Sequence, residues 1–286
     1  MAQWSRREFG GLAAGAALGS TLGAAPKINS VINGVVIGAQ SYSFRDMPLD
    51  AMIQALTKVG LGVCELWQGH LEPRRVPREE LRKWRLNTPL SFFRDVGKKF
   101  QTAGIELCAY NYSFRDDFTD EEIDRGFQMA RAMGAPYMTA SSNVSTAVRV
   151  DPFAEKYKMR VGMHNHASIR PNEFATPENF AAAMQGRSRY VAINLDIGHF
   201  TGAGFDALPY LREHSSDVVT LHIKDSKRGE DVMMPFGEGD APIMPVLQFL
   251  RQERLRIPAN IEYEYKGGDT ITEVQRCFDY CKRALA

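Results

Sequence analysis

Histidine and carboxylate side chains recur at the ends of four apolar segments in the second half of the chain. The segments cover residues 160–166, 191–199, 218–225 and 257–264, and in each the apolar residues precede the ionisable ones. A parallel β-barrel carries its active site at the carboxyl ends of its strands, where the βα loops open to solvent. If these segments are neighbouring strands of one barrel, their ionisable side chains converge on a single pocket.

Imidazole and carboxylate groups together suit borderline and hard divalent ions, among them Mn²⁺, Zn²⁺, Co²⁺ and Mg²⁺. Two histidines, one aspartate and one glutamate would balance the charge of such an ion and leave positions open for substrate oxygens. A single histidine or carboxylate after a strand is common in proteins without a metal site, but one at the end of each of four successive segments is not. We therefore predict a divalent-metal site with these ligands: His164, Asp196, His222 and Glu262.

Further ionisable residues follow the predicted ligands at the spacing of a strand. Successive side chains alternate between faces, so the residue two positions after a ligand points the same way. This places His166, Lys224 and Glu264 in the pocket. Candidate proton carriers are Glu262, His166 and His199, and Lys224 would suit a substrate oxygen or a developing negative charge. The alternative for Lys224 is a solvated lysine on the rim.

A string of five residues, Tyr-Ser-Phe-Arg-Asp, occurs twice, after the first and the third predicted strands. It follows Ser41 at residues 42–46 and Asn111 at residues 112–116. Both copies place aromatic rings and an arginine on one rim, where the rings could stack on a sugar or exclude water; ordinary packing is the alternative. The predicted substrate contacts are Tyr42, Phe44, Trp67, Tyr112 and Glu264.

Short apolar runs alternate with helical patterns eight times after residue 33. The predicted strands cover residues 34–42, 63–67, 105–110, 136–141, 159–164, 191–196, 218–223 and 257–263. Helical spacing follows at residues 48–59, 90–103, 119–133, 144–157, 176–184, 205–213, 242–252 and 270–285. The charged, proline-rich segment 68–89 predicts an inserted loop with a short helix. Eight such units in about 250 residues predict an α/β fold, a (β/α)₈ TIM barrel.

The first 25 residues have the pattern of a targeting segment. A twin-arginine motif at residues 5–9 precedes an apolar stretch, residues 10–23, that is rich in glycine and alanine. That stretch is too short for a transmembrane helix, so we expect no membrane span in the mature protein. The pattern predicts export to the periplasm or beyond, with cleavage or retention of the segment left open. A linker at residues 26–33 would then lead into one barrel domain, residues 34–286.

The composition is that of an ordinary globular protein, with 44% hydrophobic and 24% charged residues in 286. The 35 basic and 34 acidic residues give a net charge of +1, which argues against a nucleic-acid partner. A small carbohydrate that is neutral or weakly charged fits better, and homo-oligomer formation is left open. The four cysteines form no Cys-x-x-Cys pair, which argues against a cysteine metal site. Cys64 and Cys108 lie in apolar runs and are expected to be buried thiols.

Three motifs in the last three strands resemble those of the xylose isomerase-like TIM-barrel family of sugar isomerases and epimerases. This family includes ketose 3-epimerases, hydroxypyruvate isomerase, inosose dehydratase and the abasic-site endonucleases. The resemblance extends over residues 34–286, and it implies metal ligands from strands five to eight. The motifs are Asp196-x-Gly-His199, His222-Ile-Lys224-Asp225 and Ile-Glu262.

The chain departs from that family at the fifth strand. His164 stands where the related epimerases carry a glutamate. In those epimerases two glutamates move protons on opposite sides of the substrate carbon, but a metal-bound imidazole has no free lone pair for this. Glu262 could still act as a base, with His166 or His199 as its partner and Glu264 as a competing choice.

The resemblance implies removal of a proton from the carbon next to a carbonyl of a free or keto sugar. Return of the proton elsewhere gives an isomerase or epimerase, whereas loss of a β-hydroxyl or β-linked sugar gives a lyase or dehydratase. A sugar-binding barrel without turnover is the alternative of another class. The nuclease branch of the family fits poorly, because it needs extra histidines on early strands and His70 is the only histidine before residue 164.

Overall fold

The computed structural model describes residues 26–286, and in this part of the chain eight parallel strands form one closed barrel. Each strand pairs with the next in chain order, and the first also pairs with the last. The prediction of a (β/α)₈ TIM barrel is therefore confirmed. The strands, named β1 to β8 here, are Val35–Gln40, Val63–Trp67, Glu106–Asn111, Tyr137–Ala140, Val161–His164, Val191–Asp196, Val218–Ile223 and Ala259–Ile261.

Helices cover the outside of the barrel and pack their apolar faces on the strands. In the described residues they are, as α1 to α10, Leu49–Val59, Arg78–Asn87, Leu90–Thr102, Asp120–Met133, Ala147–Tyr157, Pro177–Met184, Ile197–Gly202, Ala207–His214, Ile243–Gln252 and Thr270–Leu285. Helix α2 is the short helix predicted in the segment 68–89. Helix α7 was not predicted; it begins directly after β6, because the side chain of Asp196 accepts a hydrogen bond from the backbone N–H of His199 at 2.7 Å.

Two strands are shorter than predicted at the end that carries the site. Strand β1 stops at Gln40, whose side chain accepts a hydrogen bond from the backbone N–H of Tyr42 and starts a 3₁₀ turn. Strand β8 ends at Ile261 rather than residue 263. Glu262 and Glu264 therefore lie in the loop that follows the strand, although the N–H of Glu262 still donates to Ile223.

The chain enters the barrel from the end opposite to these loops. The N–H of Ile28 donates to the carbonyl oxygen of Gly104, just before β3. A Cβ atom at Gly62, just before β2, would lie 1.9 Å from the carbonyl oxygen of Ile28, so only glycine fits this crossing. The predicted twin-arginine segment, residues 1–25, lies outside the described residues. From residue 26 onward, no helix has the length and apolarity that a membrane crossing requires.

The inserted helix α2 is joined to α4 by a buried ionic network. Glu122 forms a capping box with Thr119 at the start of α4. Its carboxylate, which is fully buried, also accepts hydrogen bonds from Arg78, Arg82 and Arg85 at 2.8, 3.1 and 3.3 Å. Burial alone would raise the pKa of Glu122, but the hydrogen bonds from Arg78 and the other partners outweigh it and lower the pKa to about 2.

We expect Glu122→Gln to lower the free energy of unfolding by about 3 kcal/mol, because it leaves three guanidinium groups without their shared carboxylate. A carboxyl group with a lowered pKa contributes stability above its unfolded-state pKa and loses it as the pH falls toward its folded-state pKa. The difference in the free energy of unfolding between wild type and variant should therefore become smaller as the pH falls from 5 to 2. Denaturant unfolding at a series of pH values measures it. A difference that is constant over this range would contradict the ionic role.

Candidate active site

The four predicted metal ligands come together at the carboxyl ends of β5 to β8. One potential ligand atom from each lies within 4.8 Å of the other three, and all four side chains are buried. In the described residues each also offers a buried atom without a hydrogen-bond partner: His164 Nε2, Asp196 Oδ2, His222 Nδ1 and Glu262 Oε2. The two carboxylate oxygens are also within ion-pair distance of the Lys224 ammonium, so the cluster as a whole is one that attracts positive charge.

The distances between these atoms fit a single small cation. His222 Nδ1 lies 3.0 Å from Glu262 Oε2 and 3.8 Å from Asp196 Oδ2. His164 Nε2 lies 3.5 Å from the same Asp196 oxygen and 3.9 Å from the same Glu262 oxygen. Burial would lower the pKa of His222, but Glu65 and Glu262 raise it well above the usual value. The surroundings therefore favour a positive charge at this point, and the donor set fits a divalent metal ion.

Glu65 on β2 holds His222 in place, and the sequence analysis did not identify it. Its carboxylate is completely buried in the barrel interior, and its Oε1 accepts a hydrogen bond from His222 Nε2 at 3.0 Å. With a metal ion bound, that bond would keep the proton on Nε2 and leave the Nδ1 lone pair for the ion, the usual way a carboxylate orients a metal-binding histidine. Further donors to the same carboxylate are Gln40, Thr139, Asn194 and Asn260.

The two carboxylate oxygens of Asp196 have different roles, one in starting a helix and one in the candidate site. Oδ1 caps helix α7 by accepting a hydrogen bond from the backbone N–H of His199, whose ring lines the cavity. Oδ2 faces the other candidate ligands, 3.5 Å from His164 Nε2 and 3.8 Å from His222 Nδ1. The side chain of Asn165 fixes the backbone of Asp196 by accepting from its N–H at 3.0 Å and donating to its carbonyl oxygen at 3.1 Å. The Asp-x-x-His spacing thus serves both a helix start and a ligand position.

Lys224 is not the solvated rim lysine that was one alternative from the sequence. Its side chain is 2% exposed, and its ammonium lies 2.9 Å from Glu262 Oε2, 3.1 Å from Asp196 Oδ2 and in contact with Glu264. Burial would lower the pKa of Lys224, but these carboxylates raise it well above the usual value. A Cβ atom at Gly198 would lie 2.8 Å from Lys224, which explains the glycine in the Asp-x-Gly-His motif.

A cavity of about 290 Å³ opens above the ligands. The predicted residues His166, His199 and Glu264 line it, together with Tyr42 and Trp67. Further lining residues that the sequence analysis did not identify as site residues are Gln40, Asn111, Ser113, Arg115 and Ser141. A larger groove of about 690 Å³ lies between α6 and α8 on the outside of the barrel, but none of the predicted site residues lines it.

Phe44 and Tyr112 do not line the cavity, which corrects their prediction as substrate contacts. Both side chains are completely buried in the hydrophobic core. Asn111 and Ser113 face the cavity, so the alternation of side chains turns Tyr112 outward against helix α4, where its ring occupies the space beside Gly126. The two rings position their loops by packing.

Known proteins resemble this chain at low sequence identity. Protein MJ1311 of Methanocaldococcus jannaschii, described as uncharacterised, is 27% identical over 114 residues, which cover 39% of this chain and 39% of that protein. The structure of an L-ribulose 3-epimerase superposes with a TM-score of 0.67 at 12% identity, over 87% of this chain and 94% of that one.

A probable 3-DHS dehydratase, AsbF from Bacillus anthracis, gives a TM-score of 0.63 at 14% identity, over 85% of this chain and 97% of that one. Identities this low show a common fold and no more. The match to a protein family covers more of the chain than the match to MJ1311: residues 53–282 match the family described as xylose isomerase-like TIM barrel. This range includes all four candidate ligands, and the chain belongs to the xylose isomerase-like TIM-barrel family.

Proposed function

We propose that the protein is a divalent-metal-dependent sugar isomerase or epimerase that moves a proton next to a carbonyl of a free or keto sugar. The observation that carries this proposal is the convergence of four candidate ligand atoms, two imidazole nitrogens and two carboxylate oxygens, at the floor of a polar cavity. The fold shared with an L-ribulose 3-epimerase and a probable 3-DHS dehydratase supports the same class of chemistry.

The four ligands would hold the ion, and their neighbours keep them in position. A bound divalent ion supplies Lewis acidity toward a carbonyl oxygen, which makes the neighbouring C–H easier to deprotonate. Glu65 fixes the ring of His222, and Asn165 fixes the backbone of Asp196. These contacts hold the ligand atoms in place before substrate arrives, so little reorganisation is needed during the reaction.

We assign Glu264 as the proton acceptor. Its side chain is 24% exposed and lines the cavity, whereas Glu262 is turned toward the other ligands. Burial would raise the pKa of Glu264, but the ammonium of Lys224 outweighs it and lowers the pKa to about 2. Glu264 is therefore ionised at neutral pH and can accept a proton from a substrate carbon held in the cavity.

Lys224 and His199 would take part in moving that proton onward. The ammonium of Lys224 contacts Glu264 and lies 2.8 Å from His199 Nε2, and His199 Nε2 is 3.5 Å from Glu264. His166 has no such hydrogen-bonded partner for its ring in the described residues, and burial lowers its pKa to about 3. As a neutral imidazole, His166 would bind substrate hydroxyls.

A dehydratase or lyase is the second candidate, and one contact favours it. The ammonium of Lys224 lies 2.8 Å from Nε2 of His199, which places an N–H donor beside the cavity. Such a group could protonate a departing hydroxyl or sugar after Glu264 has removed the neighbouring proton. The two candidates share every residue assignment and differ only in the fate of the substrate's β-substituent.

Deuterium exchange tests the proposal directly. The purified protein, loaded in turn with Mn²⁺, Zn²⁺, Co²⁺ and Mg²⁺, would be incubated with D-fructose and with 3-keto-glycosides in deuterated water. We expect metal-dependent deuterium incorporation at the carbon next to the carbonyl, observed by NMR. Loss of the β-substituent in the same spectra would identify the lyase.

Glu264→Gln should abolish this exchange while the bound metal is retained. Glu178→Gln, which changes an exposed carboxylate on α6, is the matched control and should exchange normally. If wild type binds metal and sugar yet exchanges no proton with any ion, the protein is a sugar-binding barrel without turnover.

A further inference from the structure

The repeated string after β1 and β3 places two arginines in very different surroundings. In the first copy, the guanidinium of Arg45 donates to the carbonyl oxygens of Tyr263 and Tyr42 at 2.9 and 3.3 Å. It also lies 5.0 Å from the ring centroid of Tyr42. Arg45 thus ties the loop after β8 to the turn after β1, and its charge is not directed at the cavity.

In the second copy, Arg115 is exposed and lines the cavity. Between residues 26 and 286, no hydrogen bond, ion pair or aromatic contact engages its guanidinium. It is also the only arginine or lysine in the lining of this cavity in the described residues. The loop therefore presents a positive charge at the mouth of a pocket whose floor holds several carboxylates.

The acidic residues beside Arg115 are held away from it by specific contacts. Asp116 accepts hydrogen bonds from Ser145 Oγ at 2.6 Å and from Asn172 Nδ2 at 2.9 Å. Asp117 accepts from Arg78 Nε at 2.8 Å. Neither carboxylate is available as the partner of Arg115, although each is within two positions in the chain. The guanidinium is left without a counter-charge by the way its own loop folds.

We propose that Arg115 binds an anionic group, a carboxylate or a phosphate, on the substrate. A guanidinium presents a planar pair of donors that matches either group. The inference rests on the proposed function, because it concerns the sugar held in the same cavity, and it narrows that sugar to an acidic one. The volume of about 290 Å³ is at the lower end for ligand sites, which suits one sugar ring with its anionic group at the rim.

Three ketoses that differ only at carbon 6 test this assignment: D-fructose, D-fructuronate and D-fructose 6-phosphate. Their affinities for the metal-loaded protein would be measured by calorimetry at low and at physiological salt. We expect wild type to bind at least one anionic ketose about tenfold more tightly than D-fructose. The preference should decrease with salt, because the charge of Arg115 is exposed to solvent. The ketose that shows the preference distinguishes a carboxylate from a phosphate.

Two variants and a control test whether Arg115 causes the preference for an anionic ketose. Arg115→Ala should reduce the ratio of anionic to neutral affinity to about one, whereas Arg115→Lys should keep part of it. Arg170→Ala is the matched control, because Arg170 is exposed on the loop after β5 but does not line the cavity, and it should keep the full ratio.

Two results would overturn the assignment: no tighter binding of either anionic ketose by wild type, or a ratio unchanged in Arg115→Ala. The deuterium exchange of the same three ketoses tests the proposed function separately. Exchange without a ratio that depends on Arg115 removes only the anion site. Absence of exchange, with a ratio that does depend on Arg115, leaves the anion site and removes the catalytic proposal.

Discussion

Replacing His164 by alanine is expected to weaken divalent-metal binding by at least about 100-fold, roughly 3 kcal/mol for the loss of one of four ligands. His164 Nε2 is a buried atom without a hydrogen-bond partner in the described residues, and it lies 3.5 Å from Asp196 Oδ2 and 3.9 Å from Glu262 Oε2. Without the imidazole, the ion would have two carboxylates and one histidine. Competition with a chelator of known affinity measures the change, and proton exchange should fall with it.

His214→Ala is the control for this change, because it removes a histidine from the end of α8 on the outside of the barrel. If His164→Ala leaves both bound metal and turnover unchanged, the ligand assignment is wrong. His164→Glu answers a different question, because it introduces the glutamate of the related epimerases. Turnover that appears only in this variant would identify the wild-type protein as a sugar-binding barrel.

Glu65→Gln is expected to lower the free energy of unfolding by about 2–3 kcal/mol and metal affinity by about 10- to 100-fold. The carboxylate accepts from His222, Gln40, Thr139 and Asn260 in a dry interior. An amide replaces one acceptor oxygen with a donor, so at least one of these groups loses its bond. His222 is then no longer held with its Nδ1 lone pair toward the ion.

The two effects are measured separately, by denaturant unfolding of the metal-free protein and by chelator competition with the metal-loaded one. Glu106→Gln is the matched control, because Glu106 starts the adjacent strand β3 and is exposed, with a single lysine partner. A Glu65→Gln protein that loses stability but keeps wild-type metal affinity would show that Glu65 supports the barrel without orienting the ligand.

The sequence was sufficient to predict the barrel and the four side chains that converge as candidate ligands, because both follow from simple periodicity. Strands buried on both sides read as continuous apolar runs, and the ionisable residues at their ends stand out from such runs. Glu65 shows the limit of this reasoning. It lies within the apolar run Val63–Trp67. Both faces of a strand in a parallel barrel are covered, so the alternation of side chains does not show which residues face the barrel interior and which face the helices.

Residues beyond the strand ends were harder to place, because period-two alternation stops where the strand stops. Phe44 lies in a 3₁₀ turn and Tyr112 directly after β3, and both pack in the core rather than the cavity. Helix α7 has six residues, two of them glycine, so its helical pattern is weak. The aspartate cap at Asp196 was the one signal that could have identified it.

The point at which the chain enters the barrel has a practical consequence. Ile28 is bound to the backbone beside Gly62 and Gly104, at the end where β2 and β3 begin, whereas the cavity opens where the strands finish. A strand of about six residues spans roughly 20 Å, so the two ends are well separated. Immobilisation on a surface through a tether joined ahead of residue 26 would leave the mouth of the cavity facing the solution.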